Sequence, residues 1–165
     1  MIESKKIISL KEIVNDYDFF FIDQWGVMHD GHSAYKNSLN CINKLFNLGK
    51  KLIIISNSSN RKKESIKRLK HLGFNEKNFQ DVITSGEIVW QEINFPTLKG
   101  FKNLGNKCFF LSYDSDNKNN LSYGLNKKIV KNIESADFIL ASKADPSTSV
   151  IDYIPILKKA IDKKL

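Results

Sequence analysis

Cysteine, arginine and long apolar runs are all scarce in this sequence of 165 residues. Its two cysteines, Cys41 and Cys108, are too few and too far apart for a disulfide framework or a thiolate metal cluster, which favours a cytoplasmic protein. No apolar run approaches the roughly 18 residues that a membrane-spanning helix requires. The first residues, MIESKKIISLKEIV, mix charges with apolar positions and offer no small-residue cleavage site, so we expect no signal peptide. These absences argue against secreted, membrane-spanning and zinc-finger proteins, and we expect no membrane partner.

The net charge of +8 comes almost entirely from lysine. Arg61 and Arg68 are the only arginines, and the lysines are scattered singly or in pairs along the whole length. Nucleic-acid-binding proteins more often concentrate arginine and lysine on one patch. We therefore interpret the charge as solvated helix faces and expect no nucleic-acid partner.

Short apolar runs alternate with segments of helical spacing. Five runs are typical of buried parallel strands: Phe19–Ile22, Leu52–Ile55, Val82–Thr84, Cys108–Leu111 and Phe138–Leu140. Helical spacing predicts helices over Asn37–Leu48, Lys62–Leu72, Gly86–Ile93, Leu125–Ile133 and from about Ser147 to the last residue. This alternation predicts an α/β fold with a parallel sheet and right-handed crossovers.

The last predicted helix ends in IDKKL without a strand after it. Because a helix in an α/β series normally leads back into a strand, we expect the chain to be the N-terminal portion of a longer protein. An incomplete sheet would leave the edge beside its first strand unpaired. We expect packing of residues 150–165 or self-association to cover that edge, so a homo-oligomer is possible.

The candidate chemistry follows the first two predicted strands. Asp23 comes directly after FFFI, and Ser56 comes after LIII. Ligands of open parallel sheets bind at the carboxyl ends of the strands, where a carboxylate and a hydroxyl can converge on one small anion. Such a carboxylate can attack phosphorus or hold Mg²⁺. Ser58 and its neighbours either donate to a phosphate or cap the next helix, and Arg61 either pairs with a phosphate or lies in solvent.

The other polar and aromatic residues near these strand ends have simpler interpretations. His29 and His32 lack cysteine or histidine partners at ligand spacing, so we interpret them as loop histidines rather than metal ligands. Trp25 is interpreted as a packing residue at the rim of the site.

Three segments, in order and spacing, resemble the motifs of the haloacid dehalogenase-like (HAD) hydrolases, in particular the class IIA, NagD-like phosphatases. FIDQWGVMHDG resembles the first motif, LIIISNSSNR the second, and GFNEKNFQDVITSGEIVWQ the segment that follows. The resemblance implies a three-layer, Rossmann-like parallel-sheet core, incomplete here, followed by part of an α/β cap. It implies the N-terminal half of the core over residues 1–103 and the beginning of a type-two cap insertion over residues 104–165.

The resemblance also implies roles for individual residues. Asp23 matches the nucleophile that forms an aspartyl-phosphate, and Ser56 matches the residue that hydrogen-bonds the transferring phosphoryl group. Asn57, Ser58 and Arg61 lie where further phosphate contacts are expected. The cofactor implied is Mg²⁺, held by Asp23 and the backbone carbonyl of Trp25, and the partner implied is a small phosphorylated substrate.

Departures from the family pattern leave two hypotheses open. Trp25 replaces the second Asp of D-x-D, the family's general acid and base, and an indole cannot shuttle a proton at neutral pH. The third and fourth motifs are not found in this sequence, so one carboxylate and one carbonyl should bind Mg²⁺ no better than millimolar. The first hypothesis is a Mg-dependent phosphatase acting on a sugar phosphate or nucleotide-type metabolite. The second is a catalytically weak or inactive phosphate-ligand-binding or regulatory protein.

Overall fold

The computed structural model describes residues 6–114 and 120–165. The described residues divide into two compact units. The first contains the residues up to Ser56 together with Ser65–Ile83, and the second contains Asn57–Glu64 and Thr84–Leu165. The boundary predicted at residue 103 separates a core from a cap insertion, whereas these two units are defined by compactness. The predicted boundary therefore stays a prediction.

The first unit is built on a three-stranded sheet in the order β1-β2-β3, formed by β1 (Phe19–Ile22), β2 (Lys51–Ser56) and β3 (Phe79–Thr84). β1 and β2 are parallel, with a register that runs from Phe19 opposite Lys51 to Ile22 opposite Ile54. Helix α1 (Lys36–Asn47) connects β1 to β2, and α2 (Lys62–His71) leads on towards β3. The fold is therefore α/β with parallel strands, as predicted.

Each of these two helices is followed by a glycine, which lies two residues after the last residue of the helix. Gly49 has φ +73°, and its N–H donates to the carbonyl of Phe46 while the N–H of Lys50 donates to Leu45. Gly73 has φ +92°, and the N–H of Phe74 donates to the carbonyl of Leu69. A positive φ is readily adopted by glycine, so these positions stop the helices and turn the chain into the next strand. The core of the unit is apolar and consists of Met28, Ile42, Leu45, Leu52, Ile54, Leu69, Phe74 and Val82.

The second unit contains a parallel sheet of its own. Its order is β5-β4-β6, formed by β4 (Lys107–Leu111), β5 (Lys128–Val130) and β6 (Phe138–Ala141). Helices α3 (Ser85–Asn94) and α4 (Lys99–Lys102) precede this sheet, and α5 (Val150–Asp162) follows it. The buried core of this unit consists of Ile93, Cys108, Phe110, Leu121, Phe138 and Leu140.

The predicted helix over Leu125–Ile133 is wrong. Its centre forms β5, which pairs with β4 from Lys107 opposite Lys128 to Phe109 opposite Val130. β-Branched Ile129 and Val130 suit a strand, and pairing with β4 gives their backbone hydrogen-bonded partners in the sheet. Only a short 3₁₀ turn, Ile133–Ser135, follows. The five predicted strands are all present, and β3 begins three residues earlier than predicted.

The scarce cysteines and the lack of long apolar runs have simple structural counterparts. Cys41 and Cys108 are both free, and burial in the core raises the pKa of the Cys108 thiol to about 11. Cys108 therefore behaves as a small apolar core residue. Among the helices of residues 6–114 and 120–165, none is long and apolar enough to cross a membrane.

The neighbouring residues Ile54 and Ile55 test the packing of β2. Ile54 is fully buried, whereas Ile55 is 46% exposed on the opposite face of the strand. We expect Ile54→Ala to lower the free energy of unfolding by about 2–5 kcal/mol, since it leaves a cavity in the core. Ile55→Ala should lower it by about 1 kcal/mol or less. Urea unfolding of the two variants measures the difference. Equal losses in the free energy of unfolding would contradict the placement of Ile54 on the buried face of β2 and of Ile55 on the opposite face.

Candidate active site

Asp23 and Ser56 lie at the same edge of the first sheet. Asp23 directly follows β1 and Ser56 is the last residue of β2, and the two strands run parallel with Ile22 opposite Ile54. The Asp23 side chain is exposed, and its Oδ1 accepts a hydrogen bond of 2.8 Å from the N–H of Gln24. Ser56 is buried, with 8% of its surface exposed. This edge therefore presents an accessible carboxylate at the end of one strand and a hydroxyl at the end of its neighbour.

The loop after Asp23 is wound around one carbonyl group. The carbonyl oxygen of Gln24 accepts hydrogen bonds from the N–H groups of Val27, Met28 and His29, at 3.3, 2.8 and 3.3 Å. Met28 is 1% exposed and anchors the loop in the core. Gly26, with φ +78°, allows the tight turn that brings its N–H to within 2.8 Å of the His29 carbonyl. The backbone of the first motif is thus held by local hydrogen bonds before any ligand arrives.

Trp25 packs on the next glycine of the same loop. A Cβ placed on Gly31 would lie 2.5 Å from the indole ring, and Gly31 has φ +98°, so both space and backbone conformation require glycine there. Arg68 donates to the Gly31 carbonyl at 2.6 Å, and its guanidinium carbon lies 5.9 Å from the centre of the indole. The ring is 62% exposed. Trp25 therefore lies over a turn at the surface, and it offers no group that can move a proton.

His29 is a buried histidine, which the sequence interpretation as a loop residue did not foresee. It is 2% exposed, and its Nδ1 accepts a hydrogen bond from the N–H of Gly31 at 3.1 Å. Burial, followed by the positive charge of Arg68, lowers the pKa of His29. With Nδ1 accepting, a neutral His29 carries its proton on Nε2. Within the described structure, that Nε2 and the Nε2 of Gln24 are buried without a hydrogen-bond partner.

Asn57, Ser58 and Arg61 belong to the second unit. Asn57 is exposed, and the hydroxyl of Ser58 accepts a hydrogen bond from the N–H of Asn60 at 3.2 Å. Arg61 donates to Glu87 through Nε at 2.8 Å and Nη2 at 3.1 Å, and its guanidinium lies 3.7 Å above the ring of Trp90. A phosphate would therefore have to compete with Glu87 for Arg61, whose role as a phosphate ligand stays a prediction.

Sequence reasoning missed the role of Glu87. Its Oε2 also accepts a hydrogen bond of 2.9 Å from the N–H of Lys62, the first residue of α2. A carboxylate is favoured at a helix N-terminus, so Glu87 supplies an internal anion to α2. The signal was present in TSGE, where an acidic residue follows a capping threonine by three positions, but a partner 26 residues away in sequence cannot be read from that pattern.

The oxygen donors near Asp23 agree in chemistry with Mg²⁺, which prefers hard oxygen ligands. Asp23 offers an exposed carboxylate, and the backbone hydrogen bonds described for the Gln24–His29 turn end on the carbonyls of Gln24 and His29 rather than on that of Trp25. Two such donors leave the remaining positions of an octahedron to water and phosphate oxygens. In the part of the chain that the structure describes, no three His, Cys, Asp or Glu side chains come together as a metal site. The donors fit a weak Mg²⁺ site.

The ion pair between Arg61 and Glu87 predicts a dependence of stability on pH. The hydrogen bond from Arg61 lowers the pKa of Glu87 from its ordinary value of 4.5, against the opposing effect of burial. Its contribution to stability is therefore complete above that value and is lost as the pH falls through the lowered pKa of the folded state. We expect Glu87→Gln to destabilise the protein at neutral pH, with a difference from the wild type that shrinks below about pH 4.5.

Urea unfolding of the wild type and of Glu87→Gln across the acid range measures this difference. Glu64→Gln removes the same charge elsewhere in the second unit and serves as the control. A difference between wild type and Glu87→Gln that stays constant from neutral pH to pH 3 would contradict the ion pair.

Comparison with known proteins agrees with this arrangement. A family model described as haloacid dehalogenase-like hydrolase matches residues 20–126. A search of the curated proteins returned no significant match.

Solved structures resemble the chain over nearly its whole length. A haloacid dehalogenase-like hydrolase from Brucella suis 1330 matches with a TM-score of 0.79 at 20% identity, over 94% of this chain and 54% of its own. A 4-nitrophenylphosphatase from Thermotoga maritima matches with a TM-score of 0.57 at 22% identity, over 90% of this chain and 51% of its own. A protein described as NagD matches with a TM-score of 0.57 at 22% identity, over 87% of this chain and 51% of its own.

The chain spans about half the length of these structures. At identities of 20–22%, the likeness to these structures shows the fold alone. The family model covers most of the sequence and includes the segments that resemble the first and second motifs. The chain therefore belongs to the family of haloacid dehalogenase-like hydrolases.

Proposed function

We propose that this chain carries the phosphoryl-accepting part of a phosphatase that acts on a small phosphorylated metabolite, of the sugar phosphate or nucleotide type. The observation that carries the proposal is the parallel pairing of β1 and β2, which ends with exposed Asp23 and with Ser56 at one edge of the sheet. Family membership supports hydrolysis, and the name of the 4-nitrophenylphosphatase from Thermotoga maritima supports phosphate monoesters as the substrate class.

In the proposed reaction, a carboxylate oxygen of Asp23 attacks phosphorus in line with the leaving oxygen. A bond forms between the carboxylate oxygen of Asp23 and phosphorus as the bond from phosphorus to the leaving oxygen breaks, and the leaving oxygen takes a proton from solvent water. A second water then hydrolyses the acyl phosphate to inorganic phosphate and the free Asp23 carboxylate. The Ser56 hydroxyl and the N–H groups that follow it would hold the phosphoryl oxygens. Asp23 and the Trp25 carbonyl would hold Mg²⁺, which when bound offsets the negative charge of the phosphoryl group.

A second candidate function is binding of a phosphorylated ligand without turnover. It is favoured by Trp25, which occupies the position of the family's proton-transfer residue and packs on Gly31 at the surface. The leaving oxygen needs a proton, and no proton donor for it is assigned among the described residues next to Asp23. A chain of this kind would report the presence of a phosphorylated metabolite to another protein.

Substitution of Asp23 tests the proposal. We expect Asp23→Asn to lower kcat for 4-nitrophenyl phosphate with Mg²⁺ by at least about a thousandfold, because the amide is a poor nucleophile. Asp30→Asn is the matched control, since Asp30 lies in the same loop, is exposed and accepts from the N–H groups of His32 and Ser33 through Oδ1, which asparagine retains. It should keep most of the activity.

An unchanged rate in Asp23→Asn would rule out the phosphatase proposal. If the wild type shows no turnover, binding of beryllium fluoride with Mg²⁺ decides between the two candidates. Binding that Asp23→Asn abolishes would support the ligand-binding function, and no binding by the wild type would contradict both.

A further inference from the structure

The segment that follows β2 is tied to the start of α3 by two hydrogen bonds within the second unit. The N–H of Gly86 donates to the carbonyl of Ser58 at 3.0 Å, and the hydroxyl of Thr84 donates to the carbonyl of Asn60 at 2.7 Å. Thr84 is fully buried, so its hydroxyl has no exposure to exchange this bond for water. Both anchors end on carbonyl groups of the segment that carries the predicted phosphate contacts.

Gly86 allows this contact because it has no side chain. A Cβ on residue 86 would lie 2.1 Å from the carbonyl oxygen of Ser59 and 2.4 Å from its carbon, closer than any real contact. The φ of Gly86 is not in the positive region, so the requirement is for space and not for an unusual backbone conformation. Because the atoms in the way are backbone, a larger residue could be accommodated only by moving the segment itself.

Glu87 adds an ionic contact beside these two. It binds Arg61 through two hydrogen bonds and the N–H of Lys62 through a third, and Arg61 also stacks on Trp90. The segment is therefore held at three points. Gly86 binds Ser58, Thr84 binds Asn60 and Glu87 binds Arg61.

The two carbonyl anchors also orient N–H groups. In a planar trans peptide the C=O and N–H of one peptide unit point in opposite directions, and the described chain contains no cis peptide bond. With the carbonyls of Ser58 and Asn60 directed at the start of α3, the N–H groups of Ser59 and Arg61 point away from it. Preorganised N–H groups of this kind stabilise negative charge better than groups that must reorient on binding.

We propose that Thr84, Gly86 and Glu87 are positioning residues that hold the backbone of Ser58–Arg61 in a geometry that binds phosphate. The inference rests on the proposed function for its ligand, which is the phosphate of the substrate. It assigns a task to the TSGE sequence, which the proposed chemistry of Asp23 and Ser56 does not use.

The experiment follows the amide resonances of Ser58–Arg61 by NMR in the full chain and titrates inorganic phosphate in the presence of Mg²⁺. Gly86→Ala should shift these resonances and weaken phosphate binding by about tenfold or more, the effect of misaligning a hydrogen bond to a charged group. Gly100→Ala is the matched control, because Gly100 also lies in a helix of the second unit and a Cβ there meets open space. It should change neither quantity.

A second pair of variants keeps the inference testable if Gly86→Ala does not fold. Thr84→Val is nearly isosteric and removes the bond to Asn60, whereas Thr84→Ser retains the hydroxyl and should restore both the loop resonances and the phosphate affinity. Thr84 also caps α3 by accepting from the N–H of Glu87 at 3.1 Å, and Gly86→Ala removes neither partner of that bond. Agreement between the two substitutions therefore isolates the loop contact from helix capping.

Folded Gly86→Ala and Thr84→Val variants with wild-type loop resonances and wild-type phosphate affinity would overturn the inference. So would a fall in thermal stability without a loop-specific effect, since that is what a purely structural role produces. If the wild type binds no phosphate, the proposed function fails, and the loop resonances of Thr84→Val against Thr84→Ser alone decide whether these residues position the segment.

Discussion

The parallel pairing of β1 with β2 is the constraint on which the candidate site depends. Leu52 and Ile54 are fully buried on one face of β2, so a slip of one residue would turn that apolar face out of the core. The same register places the end of β1, which Asp23 follows, beside the end of β2, whose last residue is Ser56. Apolar burial, which has no chemical role in the reaction, therefore decides which polar groups share an edge of the sheet.

Around the loops that follow β1 and β2, glycine residues allow neighbouring groups to pack closely against the backbone. In the first unit, Gly31 leaves room for the Trp25 ring, and Arg68 holds the same turn through the Gly31 carbonyl. In the second unit, Gly86 leaves room for the backbone at Ser59. A Cβ at Gly86 would meet backbone atoms, and a Cβ at Gly31 would meet the indole ring of Trp25, so neither position accepts a side chain unless its neighbour moves. Loops fixed in this way suit phosphoryl transfer, where positioning and electrostatic stabilisation account for most of catalysis.

Five of the six strands in the described residues, and the positions of Asp23 and Ser56 at the ends of β1 and β2, could be predicted from the sequence because short apolar runs and chain order indicate them. The helix over Leu125–Ile133 was predicted wrongly because apolar spacing cannot show that Lys128–Val130 has a strand partner. The burial of His29 and the ion pair of Arg61 with Glu87 were equally invisible, since both depend on residues brought together by tertiary structure. Local pattern thus specified the sheet edge where Asp23 and Ser56 lie, and long-range packing specified how the loops within each unit are held.

The central claim is that the carboxylate of Asp23 accepts a phosphoryl group. An acyl phosphate formed from acetyl phosphate and Mg²⁺ can be reduced with borohydride, which converts the modified aspartate to homoserine that peptide mass spectrometry locates. The account predicts homoserine at position 23 and unmodified aspartate at position 30 of the same loop. Homoserine at another position, or hydrolysis of acetyl phosphate without any homoserine at position 23, would contradict it.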